Sequence, residues 1–218
     1  MREFIVHGVP GSPYVRAALL GLEEKGAEWR LAPMSFGAGR SPEHLAMQPF
    51  GRIPILDHGD FRLYETQAIL RYIDRVAPTP PLTPTDPRAE ARMNQLCGIV
   101  DWYVMPEISA GITFGRLVAP RFGMPVDEAK IEACVPRAAI VVAEIARLVG
   151  DRPYLTGEAV TIADLMLIPH LSFLAQAPEG DTLLGPYANI RAWIERMEAR
   201  PSLRNTTWDR LAAMVAAA

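Results

Sequence analysis

The sequence predicts an α/β first half followed by an all-helical second half, on three observations. Strand-like and helix-like segments alternate up to about residue 77, and nearly every later apolar pattern repeats at helical spacing. Between them lies Pro78-Thr79-Pro80-Pro81-Leu82-Thr83-Pro84-Thr85-Asp86-Pro87, with five prolines in ten residues. Such a stretch is extended and cannot be helical, so it reads as a linker. The expected organisation is an α/β unit over 1–77, a linker over 78–87 and a helical unit over 88–218.

Glu3 to Val9 reads as a strand. A helix is expected from Pro13 to about Lys25, with Val15, Ala18, Leu19 and Leu22 at helical spacing and Gly26 placed to end it. Glu28 to Pro33 gives a second strand. Ser41 to Met47 gives a short helix, capped by Ser41 with Pro42 at its first position. The run Phe50-Gly51-Arg52-Ile53-Pro54-Ile55-Leu56 reads as an edge strand, because proline cannot donate to a ladder. Strands near Ile53–Asp57 and Phe61–Tyr64 lead into a helix from Thr66 to Val76. Beyond the prolines, Met93, Leu96, Cys97, Val100 and Val104 mark one face of a long helix starting near Pro87. Further helices are expected from about Val126 to Val149, from Ile162 to about Ala175, and around Ile190, Trp193, Ile194 and Met197. The third helix is apolar nearly all round and reads as buried at the centre of its bundle. Thr161 and Asp164 at its start form a capping box. The alanine-rich end, from Leu211, carries no clear signal.

Composition bounds the function. A chain of 218 residues can bury a real core, and half its residues are hydrophobic. No run reaches the roughly 18 apolar residues of a membrane span, and Met1 to His7 lacks a long apolar signal region. Cys97 and Cys134 are too few and too scattered for a disulfide scaffold or zinc site, and read as buried thiols of a reducing compartment. A net charge of −3, with no basic run longer than a pair, argues against general nucleic-acid binding. His7, His44, His58 and His170 form no metal set. The reading is a soluble cytoplasmic protein.

Two segments can build a ligand cradle. Ile53 offers its backbone to an extended peptide. Nine positions beyond Leu56, Glu65-Thr66-Gln67-Ala68-Ile69-Leu70 opens a helix whose first amides can receive a carboxylate. Together they suit a small, anionic, peptide-like ligand. Ser12 lies between the first strand and first helix, in Gly11-Ser12-Pro13-Tyr14. It fits a helix N-cap with proline next, and a capping hydroxyl keeps its own proton free to donate. A ligand sulfur there would gain that bond and the positive helix end, both favouring thiolate.

Gln48-Pro49-Phe50-Gly51-Arg52-Ile53-Pro54-Ile55-Leu56, linked to Gly59-Asp60-Phe61-Arg62-Leu63-Tyr64-Glu65-Thr66-Gln67-Ala68-Ile69, resembles the glutathione-binding half of the cytosolic glutathione transferases. Gln48 stands where Asn is common there, and Thr66 where Ser is common. Val160-Thr161-Ile162-Ala163-Asp164-Leu165, preceded by Tyr154-Leu155-Thr156-Gly157, matches the capping box of the family's second domain. The resemblance thus covers essentially the whole chain. It implies a thioredoxin-like first domain, an all-helical second domain and a homodimer.

By the same resemblance, Ser12 activates the glutathione thiol, as in the serine-type theta and phi classes; Tyr14 remains the alternative. Serine forms no disulfide, so thiol–disulfide exchange through this position is excluded. Glu65 would take the γ-glutamyl ammonium and Thr66 its carboxylate. Ile53 would pair with the cysteinyl backbone, its exposure easiest if Ile53-Pro54 is cis. Arg40 or Arg52 would meet the glycyl carboxylate. The electrophile would lie between the domains against Pro10, Tyr14, Trp102, Tyr103 and Pro106. The implied activity is addition of the glutathione thiolate to a small apolar electrophile, with glutathione as co-substrate and no bound metal or redox cofactor. A glutathione-dependent isomerase, lyase or peroxidase, or a non-catalytic glutathione-binding scaffold, are the alternatives.

Overall fold

The computed structural model describes residues 3–217. Contacts divide the chain into two units: residues up to Pro81 together with those from Arg200 onward, and Leu82–Ala199. The boundary falls inside the proline-rich stretch. Leu82 is buried, and its carbonyl accepts the N–H of Ile162 at 3.0 Å within the second unit.

In the first unit, β1 (Phe4–Gly8), α1 (Pro13–Glu24), β2 (Trp29–Pro33), α2 (Pro42–Met47), β3 (Ile55–His58), β4 (Phe61–Tyr64) and α3 (Thr66–Val76) follow in order. The sheet order is β2-β1-β3-β4; β1 and β2 are parallel, and the other pairs are antiparallel. A parallel pair needs a crossover connection, which α1 supplies. Phe4 and Val6 of β1 and Leu56 of β3 face Val15, Ala18, Leu19 and Leu22 of α1 and Ile69 and Ile73 of α3. Gly21 lets the two helices approach, since an added Cβ would lie 2.6 Å from Leu70 Cδ2. Gly26, at φ +60°, ends α1 as expected.

One strand expectation is overturned. The run with Pro54 is not an edge strand: β3 is paired on both sides, and β2 and β4 form the edges. Pro54 escapes the ladder by standing just before it, so Ile53 and Pro54 precede the first paired residue, Ile55.

The second correction concerns the C-terminus. Residues 200–217, expected in the helical unit, belong with the first unit. Two helices carry them: α9 (Pro201–Asn205) and α10 (Trp208–Ala216). Leu211 of α10 joins the sheet core. The buried Arg16 of α1 donates to the Leu203 carbonyl at 3.0 Å and to Thr206 Oγ1 at 3.5 Å. Glu24 accepts two bonds from Arg200, at 2.8 and 2.6 Å, and one from Ser202 at 2.5 Å. Burial pushes the Glu24 carboxyl up, but these donors more than reverse it, and it lies below its ordinary range. The alanine-rich tail hid this role because its core contact is the single Leu211.

The second unit begins with α4 (Pro87–Ile99), capped by Asp86, whose carboxylate accepts from Ala89 N–H at 2.8 Å. The helix continues from Val100 to Val118 with the wider i→i+5 winding, a rare form. Pro106 lies inside it and has no N–H to give to an ordinary helical turn. Then follow α5 (Glu128–Val149), α6 (Ile162–Leu174), α7 (Gly180–Leu184) and α8 (Ala188–Glu198). Every residue of α6 is buried, as its apolar circumference predicted. Gly111 lets the wide-wound segment meet α5, where an added Cβ would lie 2.6 Å from Cys134 Sγ.

The capping box of α6 is present and does more than cap. One carboxylate oxygen of Asp164 accepts from the Thr161 N–H and hydroxyl, both at 2.8 Å. The other accepts from Leu155 N–H at 3.0 Å and Trp193 Nε1–H at 2.8 Å. Burial pushes this carboxyl up from the ordinary range, and the four donors pull against it. One side chain thus ties the preceding loop, α6 and α8.

Two predictions follow from these anchors. Asp164→Ala leaves three buried N–H donors without an acceptor, each worth about 1–3 kcal/mol. Urea unfolding should show a loss of about 3 kcal/mol or more, and a loss under about 1 kcal/mol would contradict the role. The lowered Glu24 carboxyl contributes stability that is present above its unfolded value of about 4.3. That contribution is lost as pH falls through the folded value. The thermal midpoint of the native chain should therefore exceed that of Glu24→Gln at neutral pH, with the gap closing on acidification. A pH-independent gap would remove Glu24 from the anchor.

Candidate functional site

Sheet register brings the key segments to one end of the sheet. Ile55 lies opposite His7 on one side and Tyr64 on the other. The turn holding Ser12 leaves the sheet one residue past His7, at the end of β1. Ile53-Pro54 enters just before Ile55, and Glu65-Thr66 follows directly on Tyr64. Segments far apart in sequence therefore emerge side by side.

Ser12 occupies the N-cap of α1 with extended backbone, and Pro13 takes the first helical position. Its Oγ accepts from Val15 N–H at 3.4 Å, a long bond that leaves the hydroxyl proton uncommitted. Its own N–H donates to the Val9 carbonyl at 3.1 Å, closing the turn. The helix N-terminus adds a positive partial charge there. Pro10 and Tyr14 flank this turn, both half-buried.

The Ile53-Pro54 peptide is cis. The loop before it is held by residues whose role the sequence did not reveal. Buried Gln48 accepts the Arg52 N–H on its side-chain carbonyl at 3.0 Å. Buried His44 bonds the Arg52 carbonyl through Nε2 at 3.0 Å, so that nitrogen carries the proton and donates. Gly39 and Gly51 cross backbone to backbone. A Cβ on Gly39 would lie 2.7 Å from the Gly51 carbonyl oxygen, and one on Gly51 would lie 2.6 Å from that of Gly39. The crossing brings together the backbone beside Arg40 and the backbone beside Arg52, and both arginines are exposed. The spaced pair Gly39 and Gly51 was the one available sequence signal.

Glu65 is, among the described residues, the one non-glycine with positive φ, at +73°. Such a backbone costs about 1–3 kcal/mol and persists only where its surroundings impose it. Here it turns β4 abruptly into α3, with Glu65 exposed and Thr66 buried at the first helical position.

The remaining expected residues lie in the second unit. Trp102 and Tyr103 are 78% and 56% exposed on the wide-wound segment, and Pro106 is exposed one turn on. His170, on the buried α6, bonds Ser109 through Nδ1 at 2.5 Å; burial pushes its pKa down to about 3, which keeps it neutral. Among the described residues no group of three His, Cys, Asp or Glu is placed to hold a metal ion, and no helix is long and apolar enough to cross a membrane. Cys97 and Cys134 are buried and are not joined in a disulfide.

Comparison with known proteins places the chain in a family. The family model for the glutathione S-transferase N-terminal domain matches residues 2–75, and that for the C-terminal domain matches residues 128–196. A probable glutathione S-transferase of Oryza sativa subsp. japonica, GSTF2, is 31% identical over 83% of this chain and 85% of its own. Glutathione S-transferase 4 of Zea mays is 31% identical over 90% of this chain and 88% of its own. Among solved structures, poplar glutathione transferase F1 superposes with a TM-score of 0.83 at 26% identity, each chain covered in full at 100%. Glutathione S-transferase III in its apo form gives 0.82 at 29% identity, covering 94% of this chain and 95% of that one. Matched by both domain models of the family, and 31% identical to relatives over most of each chain, the chain belongs to the glutathione S-transferase family.

Proposed function

We propose that the chain binds glutathione at the sheet end and conjugates it to a small apolar electrophile, with Ser12 activating the thiol. The observation that carries this is the uncommitted Ser12 hydroxyl at the start of α1. A free thiol of this type has a pKa of about 8.5. A hydroxyl donating to sulfur, together with the positive helix end, favours the thiolate, so the thiol proton passes to solvent near neutral pH. The sulfur then forms a bond to the electrophilic carbon. Either a leaving group departs with its electron pair, or the adduct takes up a proton. The protein contributes orientation and nucleophile activation.

In this reading Glu65 holds the γ-glutamyl ammonium and Thr66, at the start of α3, the carboxylate. The backbone of Ile53, kept outside the ladder by Pro54, pairs with the cysteinyl unit. Arg40, or Arg52 in its place, serves the glycyl carboxylate. Tyr14 and Pro10, with Trp102, Tyr103 and Pro106, are the candidate contacts for the apolar electrophile. A homodimer in the cytoplasm belongs to the same reading; exposed Phe50 and Trp102, at 68% and 78%, are apolar surface of the kind an interface covers. Sedimentation as a monomer at micromolar concentration would contradict the dimer. No separate observation favours the isomerase, lyase, peroxidase or scaffold alternatives.

Ser12→Ala should raise the apparent thiol pKa of bound glutathione by about one unit, hence about tenfold less thiolate near neutral pH. Turnover should fall accordingly while glutathione affinity stays largely intact. Unchanged ultraviolet thiolate absorbance in that variant would remove Ser12 from the mechanism. Gly39→Ala forces its Cβ against the Gly51 carbonyl and should shift the glycyl subsite. We expect glutathione affinity to weaken about tenfold with kcat at saturation preserved, the pattern of lost uniform binding. An unchanged KM for glutathione would detach the glycine crossing from the site.

A further inference from the structure

The C-terminal segment reaches the turn that carries Ser12. Gly11, immediately before Ser12, has φ +89° and lies under the indole of Trp208. A Cβ added there would be 2.4 Å from Trp208 Cδ2, 2.5 Å from Cε2 and 2.7 Å from Cε3. Trp208 is the first residue of α10, which Thr207 caps by accepting the Arg210 N–H at 3.3 Å. The indole is therefore held by a defined helix start. That helix is fixed in turn by Leu211 in the sheet core.

The same segment grips α1. Arg16, whose N–H donates to the Ser12 carbonyl at 2.9 Å, sends its guanidinium to Leu203 and Thr206. At the far end of α1, Glu24 holds Arg200 and Ser202, and Glu23 accepts from Asn205 Nδ2 at 2.7 Å. The first turn of α1 is thus fixed from below by Arg16 and from its entry side by Trp208. A glycine with positive φ is the most deformable kind of backbone. A flat aromatic ring laid on it restricts that freedom.

We propose that Trp208 is a positioning residue of the thiol site: its indole seats the Gly11–Ser12 turn and so fixes where the Ser12 hydroxyl points. The inference rests on Ser12 as the activating hydroxyl. Misplacing a catalytic hydrogen bond by about 1 Å costs up to about a hundredfold in rate. Loss of an indirect support is expected to cost less.

The test compares Trp208→Ala, Trp208→Phe and Ser12→Ala in the full chain, reading apparent thiol pKa, kcat, glutathione Kd and thermal midpoint. Trp208→Ala should raise the apparent thiol pKa and lower kcat about tenfold, with Kd within about twofold. Trp208→Phe, which keeps a flat ring, should recover most of both. If Trp208→Ala does not fold, Trp208→Leu keeps the bulk without the flat face and carries the same comparison. A second measurement places Gly11→Ala in the native and Trp208-substituted backgrounds. The backbone strain of Gly11→Ala is common to both, so direct contact predicts a smaller loss of kcat where the indole is gone. A native thiol pKa and kcat in Trp208→Ala, with Ser12→Ala impaired, overturns the Trp208 inference and leaves the Ser12 reading standing. A lower thermal midpoint alone, with thiol pKa unmoved, reduces Trp208 to a structural residue and overturns it as well. No effect of Ser12→Ala overturns the reading of Ser12 itself, and the role of Trp208 with it.

Discussion

Ile55 sits opposite both His7 and Tyr64, and the site depends on that double pairing. A slip of one residue in either ladder would flip the strand's side chains to the other face. It would turn Asp57 toward α1 and α3, and take Leu56, which is fully buried there, out of that core. The core therefore fixes the register. Because the register is fixed, the end of β1, the start of β3 and the end of β4 align. Three short segments with little meaning alone become one surface.

Around that surface, the chain accepts local costs. Glu65 keeps a positive φ that only its surroundings impose. Pro54 gives up a ladder position, and the Gly39–Gly51 crossing leaves no room for side chains. Glu65 turns β4 into α3, while Ile53-Pro54 and the glycine crossing lie outside the secondary structure. The supports behind them are buried: Gln48 and His44 both spend hydrogen bonds on the Arg52 backbone. Asp164 plays the equivalent part in the second unit, where one buried carboxylate answers four donors. In both places irregular backbone is held by hydrogen bonds with buried side chains.

Much of this was legible in the sequence, because it was written in local signals. Ser12-Pro13, Ser41-Pro42 and Thr161 with Asp164 announce helix starts through capping chemistry. The apolar circumference of α6 announces burial. What was not legible came from long-range contact. The edge-strand reading of Ile53–Leu56 failed because proline excludes itself from a ladder just as well by preceding a strand as by lying on an edge. The C-terminal residues were read with the helical unit, since Leu211 gives no sign that it joins the core that holds Phe4 and Val6. Trp208 and Gly11 stand 197 positions apart, and neither residue type predicts the other. Gln48 and His44 were visible as residues, but their shared acceptance and donation at Arg52 needed the folded loop.

In the proposed mechanism the N-terminus of α1, with the Ser12 hydroxyl, holds a glutathione thiolate. Titrating the ultraviolet absorbance of glutathione bound to the native chain tests it most directly. The expected apparent thiol pKa is at least about one unit below the ordinary value of about 8.5. A bound thiol that titrates at the value of free glutathione would contradict it.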